Sequence, residues 1–309
     1  MFNNIEELRE LIRQGKTNEE IINARLKYLE EHKQSNMEPV FNGTQAYFYN
    51  GYIDSKTLIS ADGGDFESVT LYQADLVDLY NEIINTIRKN MDKRGIPLSI
   101  VIKKVRNYFS MSDESPYKEL IELIKRAYSD ERNADRIYLP IILRYYNCSS
   151  YKGTITEFAR FYLYDKKGTD ETKHKYSKEI EEMKSSIDWH KLDENEPICR
   201  LSSLKGAGIA LCTENSIAIQ NCLVFLGFES YMLHGYLSDG VNEEEHNFNV
   251  VKTKNGEYKI VDALQNVIKT IEGITNHEDL LHLSEISTTN GFGNAITYSS
   301  QSKKNKKHI

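Results

Sequence analysis

The stretch Gly206-Ala-Gly-Ile-Ala-Leu-Cys212-Thr-Glu-Asn215 joins a turn of small residues to the start of an apolar helix. Its two glycines suit a tight turn. The apolar periodicity that follows predicts a helix from about residue 213 to 226, ended by Gly227. The thiol of Cys212 is therefore expected at the N-terminal end of this helix, where the helix dipole is positive. Such a position favours the thiolate, which is the reactive form of a cysteine.

The apolar residues of this helix predict a single buried face. The residues that make it are Ile217, Ala218, Cys222, Phe225 and Leu226. Cys222 lies within this face and is expected to be a core residue. Cys212 lies outside the face, at the mouth of the helix.

Two predicted strands after the helix carry an imidazole and a carboxylate. His246-Asn-Phe-Asn-Val-Val251 alternates as a strand, and Asn255-Gly256 is a strong signal for a hairpin turn. The returning strand ends at Asp262. A two-residue turn at Asn255-Gly256 would pair Asp262 with Asn249 and place it on the opposite face from His246, whereas a bulge or a longer turn would reverse that face. On the same face, Asp262 could orient His246 toward a thiol, as in a triad of nucleophile, base and orienting group.

The run from Gly206 to Asp262 resembles the core of the transglutaminase-like superfamily of papain-like cysteine enzymes. The shared pieces are the cysteine at a helix start, the helix end Phe-Leu-Gly-Phe228, the strand Tyr231-Met-Leu-His-Gly235, and the strands of His246 and Asp262. The family patterns H-A-W-x-x-V and D-P-T stand here as His-Asn-Phe-Asn-Val-Val and Asp-Ala-Leu. The resemblance covers about residues 206–264. It implies a helix packed on an antiparallel sheet, with Cys212, His246 and Asp262 as catalytic residues.

The side chain that would stabilise the oxyanion is left open by the sequence. The family often uses a Trp or Gln, but the only tryptophan, Trp189, lies upstream of Cys212. The backbone N–H of Cys212 is one candidate donor, and Gln220 and Asn215 are candidate side chains.

Other charged and imidazole groups near the triad have simpler interpretations. Glu243-Glu-Glu245 would favour the imidazolium form of His246 and equally fits an exposed loop. His234 is a competing imidazole, interpreted as a strand residue because the family pattern places no catalytic group there. Cys212, His234 and His246 lack the paired spacings of a structural zinc site, so no metal and no cofactor is expected.

The remaining chain divides by composition. A mainly helical region is predicted for residues 1–189, with a short β or irregular part at about 40–72. The catalytic domain is predicted for residues 190–286, and a disordered basic tail for residues 287–309. Besides two short N-terminal helices, the second with a Thr17–Glu20 capping box, the helical segments are Leu76–Asp92, Leu98–Phe109, Pro116–Tyr128, Asp135–Tyr146, Ile155–Tyr164 and Lys178–Ile187. The fold class expected is α+β.

Composition narrows the class of partner and the compartment. The chain has 309 residues, of which 39% are hydrophobic, and a net charge of −7. The negative net charge argues against a nucleic-acid binder. It has no apolar run of membrane-spanning length, and its start is acidic where a signal peptide is basic. Its four cysteines form no C-x-x-C pair and suit a reducing compartment. A cytoplasmic location is expected, and secretion without a cleavable signal stays open. No pattern in the sequence indicates the oligomeric state.

The function expected is an attack of Cys212 on an amide of a protein or peptide substrate, through a thioester. With water as acceptor the enzyme is a protease or deamidase, and with an amine it is a transglutaminase; acyl transfer from a thioester donor is a further option. The alternative is a catalytically inactive transglutaminase-like module that binds a protein. A thiol–imidazole distance of hydrogen-bond order, with Asp262 on the far ring nitrogen of His246 and an open cleft, would favour the enzyme. A solvent-facing Asp262 or a buried Cys212 would favour the module.

Overall fold

The computed structural model describes residues 2–32, 37–39, 47–50, 69–70, 73–93, 95–110, 141, 144–145, 148, 150–188, 199–206, 208 and 210–302. The expected helix at Pro116–Tyr128, most of the one at Asp135–Tyr146, most of the segment 40–72, Trp189 and the lysine-rich end of the tail lie outside these residues.

The chain divides into two compact units that do not follow the expected boundary at residue 190. One unit contains Met1–Asp54, Leu76–Tyr108 and Ala210–Ile309, and the other contains Ser55–Asp75 and Phe109–Ile209. Segments of the predicted N-terminal region thus belong to the same unit as the predicted catalytic residues, because their apolar faces cover the helix that starts at Cys212.

The described residues combine helices with an antiparallel sheet, which confirms the α+β class. The helices are α1 Ile5–Arg13, α2 Asn18–Glu31, α3 Val77–Lys89, α4 Pro97–Phe109, α5 Ile155–Lys167, α6 Asp170–Lys175, α7 Ser177–Ser186 and α8 Cys212–Phe225. The strands are β1 Met37–Pro39, β2 Tyr47–Asn50, β3 Val69–Thr70, β4 Cys199–Arg200, β5 Glu229–Ser238, β6 Glu243–Lys252, β7 Tyr258–Asp262, β8 Val267–Ile271, β9 Ile286–Thr289 and β10 Ala295–Ser299. The predicted capping box of α2 is present, with Thr17 and Glu20 each bonding the other's backbone N–H.

The main sheet has the order β1-β2-β5-β6-β7-β8, with every pair antiparallel, and β10 joins it beside β5. β6 pairs along the whole of β5, so β2 and β10 share the other edge of β5. β2 lies opposite residues 231–233 and β10 opposite residues 236–238. The parallel pair β3–β4 belongs to the other unit.

The expectation of a disordered tail from residue 287 is wrong as far as residue 299. β9 and β10 form a hairpin there, and β10 continues into the main sheet through Tyr298 opposite Leu237. Ile296 and Tyr298 are buried in the sheet core. Their alternation with polar residues is typical of a strand. The prediction of disorder followed instead from the Ser, Thr, Asn and Gly content of the segment.

No helix among the described residues is long and apolar enough to cross a membrane.

Candidate active site

Helix α8 positions the cysteine and is buried on all its faces. Residues 215–225 are all buried, so the predicted single apolar face is too narrow a description. Ser216 of α8 bonds to the sheet: its hydroxyl donates to the carbonyl of Asn247 (2.8 Å), and Asn249 donates to its carbonyl (3.1 Å). Tyr80 of α3 stacks on Phe225 from another side. The polar groups of Ser216 are therefore hydrogen-bonded inside the protein.

The C-terminal end of α8 is closed, as Gly227 predicts. Gly227 has φ +82, and the N–H groups of Gly227 and Phe228 bond back to the carbonyls of Val224 and Leu223, which is a Schellman motif. A Cβ at Gly227 would lie 2.3 Å from the carbonyl oxygen of Asn3. Both the backbone conformation and the close approach of Asn3 require glycine here.

A buried arginine also caps this end of α8. The Arg25 guanidinium donates to the carbonyls of Phe225 (3.0 Å), Val224 (2.8 Å) and Phe2 (2.8 Å). Its positive charge complements the negative end of the helix dipole.

The N-terminal end of α8 is where the structure places Cys212, as its first residue. The N–H of the preceding Leu211 donates to the Glu214 carboxylate (2.9 Å). The side chain of Cys212 is half-buried, whereas Cys222 is fully buried, and burial raises the pKa of the Cys222 thiol. The two thiols of one helix thus differ in access as predicted.

The turn between β6 and β7 decides which face Asp262 occupies. β6 and β7 pair Lys252 with Tyr258 and Asn249 with Val261, and the N–H of Thr253 donates to the carbonyl of Glu257 (2.8 Å). Three residues, 254–256, therefore make the turn, one more than the two-residue turn at Asn255-Gly256 allows. The register places Asp262 beside Phe248, on the face of His246, so the longer turn produces the arrangement a triad needs.

Asp262 and His246 form a buried pair. The Nε2 atom of His246 lies 2.7 Å from Oδ2 of Asp262, and both side chains are about as inaccessible as core residues, with exposed fractions of 2% and 3%. With Nε2 bonded to the carboxylate, Nδ1 is the ring nitrogen left for the thiol. Asp262 does not face solvent.

The charge state of His246 follows from two opposing effects. Burial lowers the pKa of His246, but the Asp262 carboxylate and then the Cys212 thiol raise it, and together they bring it to about 10. The thiol contributes both a hydrogen bond and a charge interaction to the imidazole. The Asp262 carboxylate thus favours the charged form of the His246 imidazole.

Two further groups hold the Asp262 carboxylate. The Tyr298 hydroxyl donates to Oδ2 (2.8 Å) and the backbone N–H of Gln265 donates to Oδ1 (3.0 Å). Burial and the neighbouring Asp262 raise the pKa of Tyr298, so its hydroxyl stays protonated and remains a donor. Tyr298 lies in the segment predicted to be disordered, which is why the sequence did not indicate it.

The side chains considered as oxyanion donors point elsewhere. Gln220 is buried and donates to the carbonyl of Ser230 (2.7 Å), and Asn215 donates to the carbonyl of Leu211 (2.8 Å). Asn247, which is not among the residues predicted from sequence, has its Nδ2 atom 4.0 Å from Sγ of Cys212. No sequence signal short of the strand register identifies it.

The remaining charged groups lie near His234. Oε2 of Glu245 is 3.7 Å from Nε2 of His234, and Glu243 accepts from Ser302. Glu243, Glu244 and Glu245 belong to β6 and not to a loop. The carboxylate that raises the pKa of His246 is therefore that of Asp262.

Gly235 lets the sheet close around the site. It lies opposite His246 in the β5–β6 pair, and a Cβ there would lie 2.4 Å from the carbonyl oxygen of Ser299. The absence of a side chain allows β10, and with it Tyr298, to approach β5. The glycine in the motif Tyr231–Gly235 thus has a structural role.

Comparisons with protein families, with curated proteins and with solved structures found no match to this chain. Among the described residues, no group of three or more His, Cys, Asp or Glu side chains is arranged to hold a metal ion.

Proposed function

We propose that this protein is a thiol enzyme that cleaves or transfers acyl groups of protein or peptide amides through a thioester on Cys212. The observation that carries the proposal is the buried His246–Asp262 pair, together with the half-buried Cys212 thiol, which with Asp262 raises the pKa of the imidazole. The roles are nucleophile for Cys212, proton carrier for His246 and orienting carboxylate for Asp262. The bonding of Asp262 to Nε2, the start of α8 at Cys212 and the β6–β7 hairpin support the resemblance to transglutaminase-like enzymes with a papain-like core.

Acylation begins with attack of the Cys212 sulfur on the amide carbonyl carbon. A C–S bond forms and the carbonyl π electrons move to oxygen. When this oxyanion collapses, the C–N bond breaks and the leaving nitrogen takes a proton from the His246 imidazolium. The products are a thioester on Cys212, a free amine or ammonia, and a neutral imidazole.

Deacylation reverses these proton movements. His246 takes a proton from water or from an amine as that acceptor attacks the thioester carbonyl. The C–S bond then breaks and the sulfur leaves with its electron pair beside the restored imidazolium. Water yields a carboxylic acid, as in a protease or deamidase, and an amine yields a new amide, as in a transglutaminase.

The environment of the thiol favours an enzyme over an inactive binding module. A module that only binds a partner does not need a buried charged pair, because burying an ion pair costs desolvation energy. Here the pair is buried, and the half-buried thiol of Cys212 is one of the groups that raise the pKa of its imidazole. A folded protein whose Cys212 shows no enhanced reactivity would support the module instead.

The experiment that tests the proposal is alkylation with limiting iodoacetamide, followed by intact mass and peptide mapping. Cys212 is expected to react before Cys148 and Cys222 in the native protein. Cys148 is the matched control, because it is also half-buried but has Ser186 as its neighbour (2.9 Å) in place of an imidazole. If Cys212 is labelled no faster than Cys222, the nucleophile assignment fails.

A further inference from the structure

Asn247 follows His246 in β6 and lies on the opposite face of the strand, toward α8. Its Nδ2 atom donates to the hydroxyl of Thr213 (2.7 Å) and lies 4.0 Å from Sγ of Cys212. The residue is buried. An amide with two N–H groups can serve Thr213 with one and has the other available on the side of the thiol.

The distance to the sulfur suits an oxygen attached to the carbon that the sulfur attacks. An oxyanion donor lies about 2.7–3.1 Å from the oxyanion itself, and the oxyanion is two covalent bonds from the sulfur. A nitrogen 4.0 Å from Sγ is too far for a strong bond to sulfur but within reach of that oxygen. We propose that Asn247 donates a hydrogen bond to the oxyanion formed when Cys212 attacks a carbonyl, an inference that rests on the proposed function.

Two side chains hold the amide of Asn247 in this orientation, and a third holds its backbone. Nδ1 of His234 lies 3.1 Å from Oδ1 of Asn247, and with a proton on Nδ1 it donates to that oxygen and directs the amide nitrogen toward α8. Thr213 accepts from Nδ2, and Ser216 donates to the backbone carbonyl of Asn247. A donor fixed before the reaction costs no reorganisation when charge develops.

The first turn of α8 supplies the complementary backbone donors. The N–H groups at the start of a helix have no acceptor within the helix, and Cys212 and Thr213 are its first two residues. Asn247 belongs to β6 and these N–H groups belong to α8, so the two sets of donors come from different elements. His234, interpreted from sequence as a strand residue, is then a positioning residue for Asn247.

The test compares two reactions of the same thiol. Acetylation of Cys212 by p-nitrophenyl acetate passes through an oxyanion, whereas alkylation by iodoacetamide does not. Asn247→Ala is expected to slow acetylation about 10²–10³-fold while the alkylation rate stays unchanged. Asn247→Asp, which keeps the shape but lacks N–H donors, is expected to slow acetylation at least as much. Release of p-nitrophenolate and intact mass measure the first reaction, and intact mass measures the second.

Asn249→Ala is the matched control, because Asn249 is buried on the same face of β6 and bonds to the same helix further from the thiol. It is expected to leave the ratio of the two rates unchanged. Equal losses of acetylation and alkylation in both Asn247 variants, or no loss in either, would overturn the inference. A native protein in which Cys212 undergoes neither reaction would instead refute the proposed function. Thermal unfolding of each variant identifies losses of rate that are due to loss of folding. Thr213→Val removes the hydroxyl that accepts from the Asn247 amide but leaves Asn247 itself unchanged, and it is expected to reduce acetylation less than Asn247→Ala.

Discussion

The two ends of α8 have different surroundings. At the C-terminal end the helix carbonyls are capped by the buried Arg25, and Gly227 turns the chain tightly against Asn3. At the N-terminal end the Cys212 thiol is half-exposed, and Glu214 bonds to the N–H of Leu211.

Because of this difference, one end of α8 contributes to the stability of the fold and the other to the reactivity of the thiol. The charge at the C-terminal end is compensated in the resting protein, so Arg25 contributes to folding. The charge at the N-terminal end is available for an anion that forms during a reaction. Substitutions at the C-terminal end should therefore change the free energy of unfolding but not the reactivity of Cys212, whereas substitutions around Cys212 should change its reaction rates.

The largest effect is expected at the N-terminal end, from Asp262→Asn. The amide keeps the shape of the carboxylate but favours the wrong imidazole tautomer, and we expect acetylation of Cys212 by p-nitrophenyl acetate to fall by about 10³–10⁴-fold. The measurement is the p-nitrophenolate release rate. A loss of less than about tenfold would show that Asp262 is not the orienting group.

The second prediction concerns pH and the His246–Asp262 pair. Because the folded pKa of His246 is raised to about 10 from the ordinary 6.5, its contribution to stability is fully present below pH 6.5 and is lost as pH rises toward 10. At about 1.4 kcal/mol per pKa unit, the difference in unfolding free energy between the native chain and His246→Gln should decline by about 4 kcal/mol between pH 6.5 and 9.5. Urea denaturation at several pH values measures it. A constant difference across this range would contradict the pairing.

The third prediction is for the C-terminal end of α8. Arg25→Met keeps much of the packing but leaves three carbonyl acceptors without their charged donor, and we expect a loss of about 3 kcal/mol of unfolding free energy. Arg13→Met, at an exposed position of α1, is the control and should change it by less than about 0.5 kcal/mol. The folded Arg25 variant should keep its alkylation rate at Cys212; a large loss of that rate would show that the two ends are coupled.

The smallest effect is expected from Tyr298→Phe. It removes one hydrogen bond to Asp262 while leaving the ring in the core, so acetylation should slow about fivefold, equivalent to about 1 kcal/mol. The pH at which acetylation is half-maximal should shift with it, since Tyr298 acts on His246 through Asp262. An unchanged pH profile would show that Tyr298 contributes only to packing and does not act on His246 through Asp262.

The elements of the site were predictable from sequence because they depend on local signals. The helix start at Cys212, its end at Gly227 and the strands of His246 and Asp262 follow from periodicity and turn residues. The face of Asp262 did not follow, because Asn255-Gly256 fits both a two-residue and a three-residue turn and the choice reverses the face.

Other features depend on contacts that no local pattern contains. The sequence places Ser216 and Gln220 outside the predicted apolar face of the helix, but both are buried and bond to Asn247, Asn249 and Ser230 of the sheet. The segment around Tyr298 has the composition of a disordered tail, and its order comes from pairing with β5. Asn247 is recognisable only when the register of β6 against α8 is known.

The three-residue turn at 254–256 has a consequence for how such a site could be gained or lost in evolution. The deletion of a single codon in this exposed turn would shift β7 by one position and carry Asp262 to the far side of the sheet, leaving all three triad residues in the gene. A descendant with Cys, His and Asp intact could thus be inactive, and an insertion at a surface turn could create the carboxylate–imidazole pair in an ancestor that lacked it.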